Sequence, residues 1–180
     1  MSYHPDDTIC AIATAPGGAA RGMVRVSGPD AIEVVARMVQ PADGAAIDAI
    51  RRPTVFPGRA TIELNGNESR SLPCDVLLWP TARSYTRQPV AELHTLGSPP
   101  LLEALVAAVC RAGARLAEPG EFTLRGFLAG RIDLTQAEAV LGVIDAHGND
   151  ELDAALTQLA GGLARPLHQL REGRHGRLQL

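Results

Sequence analysis

Three stretches carry side chains with chemistry to offer. The first is the Gly/Ala-rich run from Ala15 to Gly28, APGGAARGMVRVSG. Small residues let another backbone approach closely, and successive N–H groups can cradle an anion. A Gly-rich run between two strands is more often a plain hairpin turn. Arg25 stands out within it, a lone cation in the middle of an alternating strand. Buried without a partner it would be costly, so pattern alone favours the solvent face. The second stretch is Glu92-Leu93-His94, in which Glu92 reads by pattern as a strand carboxylate facing water. The third runs from Ala114 to Val140, ARLAEPGEFTLRGFLAGRIDLTQAEAV, and holds Glu121, Arg125, Arg131 and Asp133. Glu121, Arg125 and Asp133 suit ion pairs or helix caps at a junction better than catalysis. Two carboxylates near a glycine could suggest a metal site, but no His or Cys stands at ligand spacing. No catalytic residue and no metal site is assigned.

The third stretch resembles the PGEFT-x-R-x-F-L-x-G-[KR]-x-D-L-x-QAEA signature of the tRNA modification GTPases called MnmE or TrmE. The match is long and free of gaps. Two further segments extend the resemblance. Ala15 to Gly28 is similar to the family's P-P-G-x-G-G-x-G-[IV]-x-R-[IV]-S-G segment. Tyr85-Thr86 with Glu92-Leu93-His94 is similar to S-[YF]-T-G-E-D-x-x-E-x-x-x-HGG. The resemblance implies an α+β fold: a mixed or antiparallel sheet with helices, similar to the tetrahydrofolate-binding domain of glycine-cleavage aminomethyltransferases, followed by an α-helical segment.

The resemblance also implies a site. Arg25 and Glu92 match the family's folate-contacting Arg and Glu, and Arg131 stands where the family has a folate-contacting Lys or Arg. A pterin presents an N3–H beside an exocyclic amine, and one carboxylate can accept both in a fork. Arg pairs with carboxylate bidentately, which suits Arg131 to the carboxylates of a folate tail. The implied cofactor is reduced folate, as 5-formyl- or 5,10-methylenetetrahydrofolate, donating one carbon to C5 of a tRNA wobble uridine. The implied partners are a second copy of the chain, an MnmG-type flavoprotein and tRNA. The pattern is broken at three places: Gly-Glu-Asp becomes Arg87-Gln88-Pro89, His-Gly-Gly becomes Leu96-Gly97-Ser98, and the usual Asn becomes Ala129. The alternative reading is therefore a dimerisation scaffold that no longer binds folate. A free-standing aminomethyltransferase-like enzyme ranks third.

The family is a GTPase, yet the 180 residues contain no lysine and so no G-x-x-x-x-G-K-[ST] loop. A GTPase domain needs roughly 150 residues of its own. The resemblance thus implies a chain that stops before the GTPase insertion. GTP, Mg and K would belong to that absent domain, as the family's catalytic Cys belongs to an absent C-terminal tail, and the chain alone is expected to be inactive.

Composition sets the remaining bounds. A net charge of −3 and scattered arginines offer no basic arm for nucleic acid. Arg165, Arg171, Arg174 and Arg177 read as a solvated helix face. Cys10, Cys74 and Cys110 form no C-x-x-C and no disulfide framework. Cys10 and Cys110 sit among apolar residues and read as buried thiols. No secretory signal opens the chain, and no run approaches the roughly 20 apolar residues of a membrane helix. The expectation is a cytoplasmic protein without membrane contact.

These residues must be held by a small set of elements. Thr8–Thr14 and Met23–Ser27 read as strands, Asp30–Val39 as a helix, and Gln40–Pro53 as loop with one turn of helix. Thr54–Leu64 and Leu72–Trp79 read as a strand pair joined at Asn65-Gly66-Asn67, with Pro57–Gly58 marking an edge or a bulge. Val90–Leu96 is another strand and Pro99–Ala112 a helix closed by Gly113. Beyond Pro119–Gly120 the pattern turns helical. Phe122–Ala129 is a short helix, a capping box at Asp133–Gln136 or Thr135–Glu138 opens another to about Ala146, and leucines from Leu152 to Leu170 mark a third. The expected division is 1–118, α/β, and 119–180, partial helical domain.

Overall fold

The computed structural model describes residues 6–64 and 68–160. The Asn65–Asn67 turn, the arginines from Arg165 on and the leucines from Leu163 on lie outside them. Two compact units are present, Met1–Arg125 and Gly126–Leu180.

The first unit is built on a seven-stranded sheet. Its strands are β1 (Ile9–Ile12), β2 (Ala19–Ser27), β3 (Val39–Pro41), β4 (Thr54–Leu64), β5 (Glu68–Trp79), β6 (Val90–Gly97) and β7 (Arg115–Leu116). Their order across the sheet is β3-β4-β5-β6-β2-β1-β7. Every pairing is antiparallel except β1 with β7. Helices α1 (Ala31–Met38) and α2 (Pro99–Arg111) complete the unit, with the first residues of α3 (Glu121–Leu128). The α+β class expected from the resemblance is what the chain adopts.

Alternation decides which face the helices cover. Val24 and Val26 of β2, Ala91 and Leu93 of β6, and Val76 and Leu78 of β5 are all buried. They share one core with Val34 and Val35 of α1 and Leu102, Leu105 and Val109 of α2. Successive strand residues point to opposite faces. Met23, Arg25, Glu92, His94, Asp75 and Leu77 therefore occupy the face turned away from this core, and each is only partly buried.

Three local details differ from the sequence reading. Gln40–Pro53 contains the short strand β3 and a 3-10 turn at Ile47–Ala49. The β4–β5 ladder runs unbroken through Pro57↔Asp75 and Gly58↔Cys74, so no bulge lies there; Pro57 stands at the end of the β3 pairing, its carbonyl accepting the Ala42 N–H at 2.9 Å. The irregularity falls instead in β2, where the register with β6 shifts between Ala19 and Gly22. A Cβ on Gly22 would lie 2.9 Å from Gly97 Cα, and one on Gly97 would lie 2.6 Å from Ala19 O. The small residues of the Gly/Ala run thus serve a close strand-to-strand approach.

The first unit extends past the Pro119–Gly120 break because buried charges tie α3 to it. Arg125, 1% exposed, donates to Asp7 O at 2.7 Å and pairs with Glu121 at 2.9 Å. Arg115 grips both oxygens of Glu121 at 2.9 and 2.7 Å and reaches Asp7 at 2.9 Å.

In the second unit α4 (Leu134–Asp145) and α5 (Asn149–Leu159) pack as a helical hairpin. Asp133 and Gln136 form the capping box that opens α4. Gly142 lets Ala155 come close, 3.2 Å from where a Cβ would be. Gln136 donates to Leu159 O and Gln158 to Thr135 O, closing the hairpin ends. Leu134, Leu141, Ile144 and Leu156 remain exposed.

Candidate functional site

Arg25 and Glu92 are register partners across the β2–β6 ladder. Arg25 Nε donates to Glu92 Oε1 at 2.9 Å, and its Nη2 lies 2.8 Å from the same oxygen. The second oxygen, Oε2, is 3.1 Å from His94 Nε2. The Glu92 side chain is 13% exposed and that of Arg25 32%. One carboxylate is therefore held at both oxygens on a face that solvent still reaches. Beneath the guanidinium lies Phe122, its ring centroid 5.8 Å from Arg25 Cζ. That distance is within the reach of a cation–π contact.

The loop between β5 and β6 flanks this arrangement. It is pinned by a buried pair of hydroxyls, Ser27 Oγ and Thr86 Oγ1, 2.6 Å apart. Ser84 Oγ donates to Gln88 O at 2.6 Å, and the Gly28 N–H donates to Pro89 O at 3.1 Å. Gln88 also accepts a bond from Arg125 at 3.0 Å. Arg87 sits in the left-handed region with φ 60°, at the position where the motif carries Gly. Tyr85 OH is 3.5 Å from Thr123 Oγ1. A shallow cleft of about 410 Å³ adjoins the far end of the same ladder, lined by Arg21, Cys74, Asp75, His94, Thr95 and Leu96 among others. Arg21 and Asp75 pair across it at 2.8 Å.

The structure brings together two of the three residues singled out from sequence. Arg25 is neither a buried orphan nor a free surface cation: Glu92 accompanies it. Arg131 belongs to the second unit, exposed at the close of α3, where its N–H donates to Gly126 O at 2.8 Å. Glu121, Arg125 and Asp133 serve as ion pairs and a cap. Sequence reasoning missed His94 and Phe122. His94 had a legible signal, since residues i and i+2 of a strand share a face. Phe122 had none, because its meeting with Arg25 depends on how α3 docks. Among the described residues, no three His, Cys, Asp or Glu side chains are grouped to hold a metal ion, and no helix is long and apolar enough to cross a membrane.

Comparison with known proteins supplies the context for this geometry. Residues 8–131 match the family described as GTP-binding protein TrmE N-terminus. The tRNA modification GTPase MnmE of Rhodopirellula baltica is 55% identical over 172 residues, covering 95% of this chain and 36% of that protein. Those of Heliobacterium modesticaldum and Moorella thermoacetica are 43% and 41% identical over 167 residues, covering 92% and 93% of this chain and 35% and 36% of theirs. The chain spans about a third of the length of these relatives. With a family match over most of its length and identities this high, the chain belongs to the TrmE/MnmE family of tRNA modification GTPases and corresponds to its N-terminal part.

Proposed function

We propose that this chain binds reduced folate on the open sheet face at Arg25 and Glu92, as the one-carbon-binding region of a tRNA-modifying enzyme. Bound folate would supply the carbon transferred to C5 of a wobble uridine. The observation that carries the reading is the carboxylate of Glu92, held in a fixed orientation by Arg25 and His94 and partly open to solvent. A carboxylate offers about four lone-pair sites. Arg25 and His94 use part of that capacity, all of Arg25's at Oε1. A pterin edge with two adjacent donors fits if the guanidinium yields one contact, and the freed N–H then faces the ligand's ring carbonyl. The tail carboxylates are assigned to Arg131 by its place in the family pattern alone. In the whole protein the region would act as a homodimer in the cytoplasm, with an MnmG-type flavoprotein and tRNA, while GTP, Mg and K would be handled by a separate GTPase domain.

Two observations favour the second reading, a dimerisation scaffold without folate. Both Glu92 oxygens already have protein partners, and Arg87-Gln88-Pro89 removes two acidic residues from the flanking loop. Calorimetric titration with 5-formyltetrahydrofolate separates the two. Binding by the wild type, weakened about tenfold or more in Glu92→Gln, supports the folate site; tenfold corresponds to about 1.4 kcal/mol, within the worth of one charge-assisted bond. Equal binding by both proteins removes Glu92 from the site. No binding by the wild type leaves the scaffold reading, for which light scattering at tens of micromolar, the order at which modest interfaces form, must show a dimer.

A further inference from the structure

The mechanism proposed above uses no cysteine, yet two of the three meet. Cys10 lies in the middle of β1 and is fully buried. Cys110 lies in the last turn of α2 and is half-buried. Their sulfurs are 3.6 Å apart although the residues are separated by 100 positions in sequence. That is contact distance with no atom between them. Cys74, on β5, is also buried; burial pushes its thiol up to about 11, against a backbone hydrogen bond at Ala60 that lowers it.

We propose that Cys110 and Cys10 form a peroxide-sensitive modification site that closes into an intramolecular disulfide stapling β1 to α2. The two thiols differ in access, and this orders the steps. Peroxide reaches the half-buried Cys110 first. Its sulfur attacks one peroxide oxygen, the O–O bond breaks, and the products are a sulfenic acid at Cys110 and one water. Cys10 then attacks the sulfenic sulfur. The S–S bond forms, the S–O bond breaks, and the Cys10 proton leaves with the hydroxide as a second water. The pair loses two electrons and two protons, and the peroxide is reduced to two waters. Burial keeps Cys10 in its thiol form and away from oxidant, and its resolving role rests on the 3.6 Å contact with Cys110. In a reducing compartment such pairs are transient and redox-sensing rather than constitutive bridges. The bond would lock β1, whose Ala11 is the register partner of Arg25.

Treatment of the wild-type chain with hydrogen peroxide tests this. Intact mass should fall by two hydrogens, and peptide mapping should join the Cys10 peptide to the Cys110 peptide while Cys74 stays open to alkylation. Closing so long a loop should raise the thermal midpoint by about 5 °C or more, and dithiothreitol should reverse the gain. In Cys10→Ala, dimedone should capture a sulfenic acid at Cys110 that the wild type does not accumulate. The wild-type mapping stands by itself if that variant folds poorly. The proposal falls if peroxide sufficient to oxidise glutathione leaves the wild-type mass unchanged. It falls equally if the bond formed involves Cys74 or a second chain, or if the wild-type Cys110 is captured by dimedone as fully as in the variant.

Discussion

Arg25 and Glu92 face each other as register partners on β2 and β6, and their side chains meet at 2.8 Å on the face of the sheet turned from the helical core. Opposite charges directly across a ladder stabilise it by roughly 0.2–1 kcal/mol. Solvent reaches the guanidinium, which holds the value toward the middle of that range. A double-mutant cycle with Arg25→Met and Glu92→Gln, read by urea denaturation, should give a coupling of about 0.5 kcal/mol. It should shrink in high salt. A coupling of zero at low salt would mean that the pair contributes orientation only.

A second relationship at the same ladder concerns backbone. Gly97 ends β6 against the irregular part of β2, and a Cβ there would lie 2.6 Å from Ala19 O and 2.8 Å from Arg21 O. Both obstacles are backbone oxygens, so no side-chain rotation relieves them. Gly97→Ala should destabilise the first unit by about 1–3 kcal/mol, the cost of overpacking. Gly18→Ala, where nothing lies within 4 Å, is the control and should change the urea midpoint little.

These cases show what the sequence could and could not disclose. Period-two alternation in β2 and β6 was readable, so the two strands and the partly exposed side of Arg25 and Glu92 were too. Pairing between β2 and β6 was not, since their register joins residues 67 apart and nothing local specifies it. Strand β3 escaped because three residues carry too little pattern, and β7 is shorter still. Pro57–Gly58 signalled an edge or a bulge; the β4–β5 register contains no bulge, and Pro57 lies just past the last pair with β3, Pro41↔Gly58. The Gly/Ala run hid the real one, because small residues signal close approach without saying to what. Asp133 and Gln136 were legible because a capping box is local chemistry at fixed spacing.

Arg87 stores strain. Its φ of 60° lies in the left-handed region, which costs a non-glycine residue roughly 1–2 kcal/mol. Its side chain is exposed, so truncation exposes no cavity. Arg87→Gly relieves the strain but adds freedom to the unfolded chain, worth roughly 0.5–1 kcal/mol in the other direction. A net gain of about 0.5–1 kcal/mol is expected, seen as a higher urea midpoint with an unchanged slope. Arg87→Ala, which keeps the Cβ, should give no such gain. If Ala and Gly behave alike, the backbone at this position relaxes in solution.

The acid limit of stability should be set at Glu121. Hydrogen bonds from Arg115 first, then the Glu118 N–H and Arg125, hold its carboxyl down at about 2, against a burial effect that raises it. An unfolded Glu titrates near 4.3. The folded value is the lower one, so the folded state favours the ionised form. Its contribution is complete above about pH 5 and is lost as pH falls through 4 toward 2. A difference of this size corresponds to about 2–3 kcal/mol once the partial exposure of Arg115 is allowed for. Glu121→Gln should therefore be less stable than wild type by about that amount at pH 7. It also removes the carboxylate that pairs with the buried Arg125 at 2.9 Å, a loss that acts in the same direction. The decisive measurement is the difference between the two proteins across pH. Urea midpoints at pH 7, 5 and 3 should show it constant between the first two and clearly smaller at the third. A difference that stays constant down to pH 3 would assign the loss to packing of the amide and not to the charge.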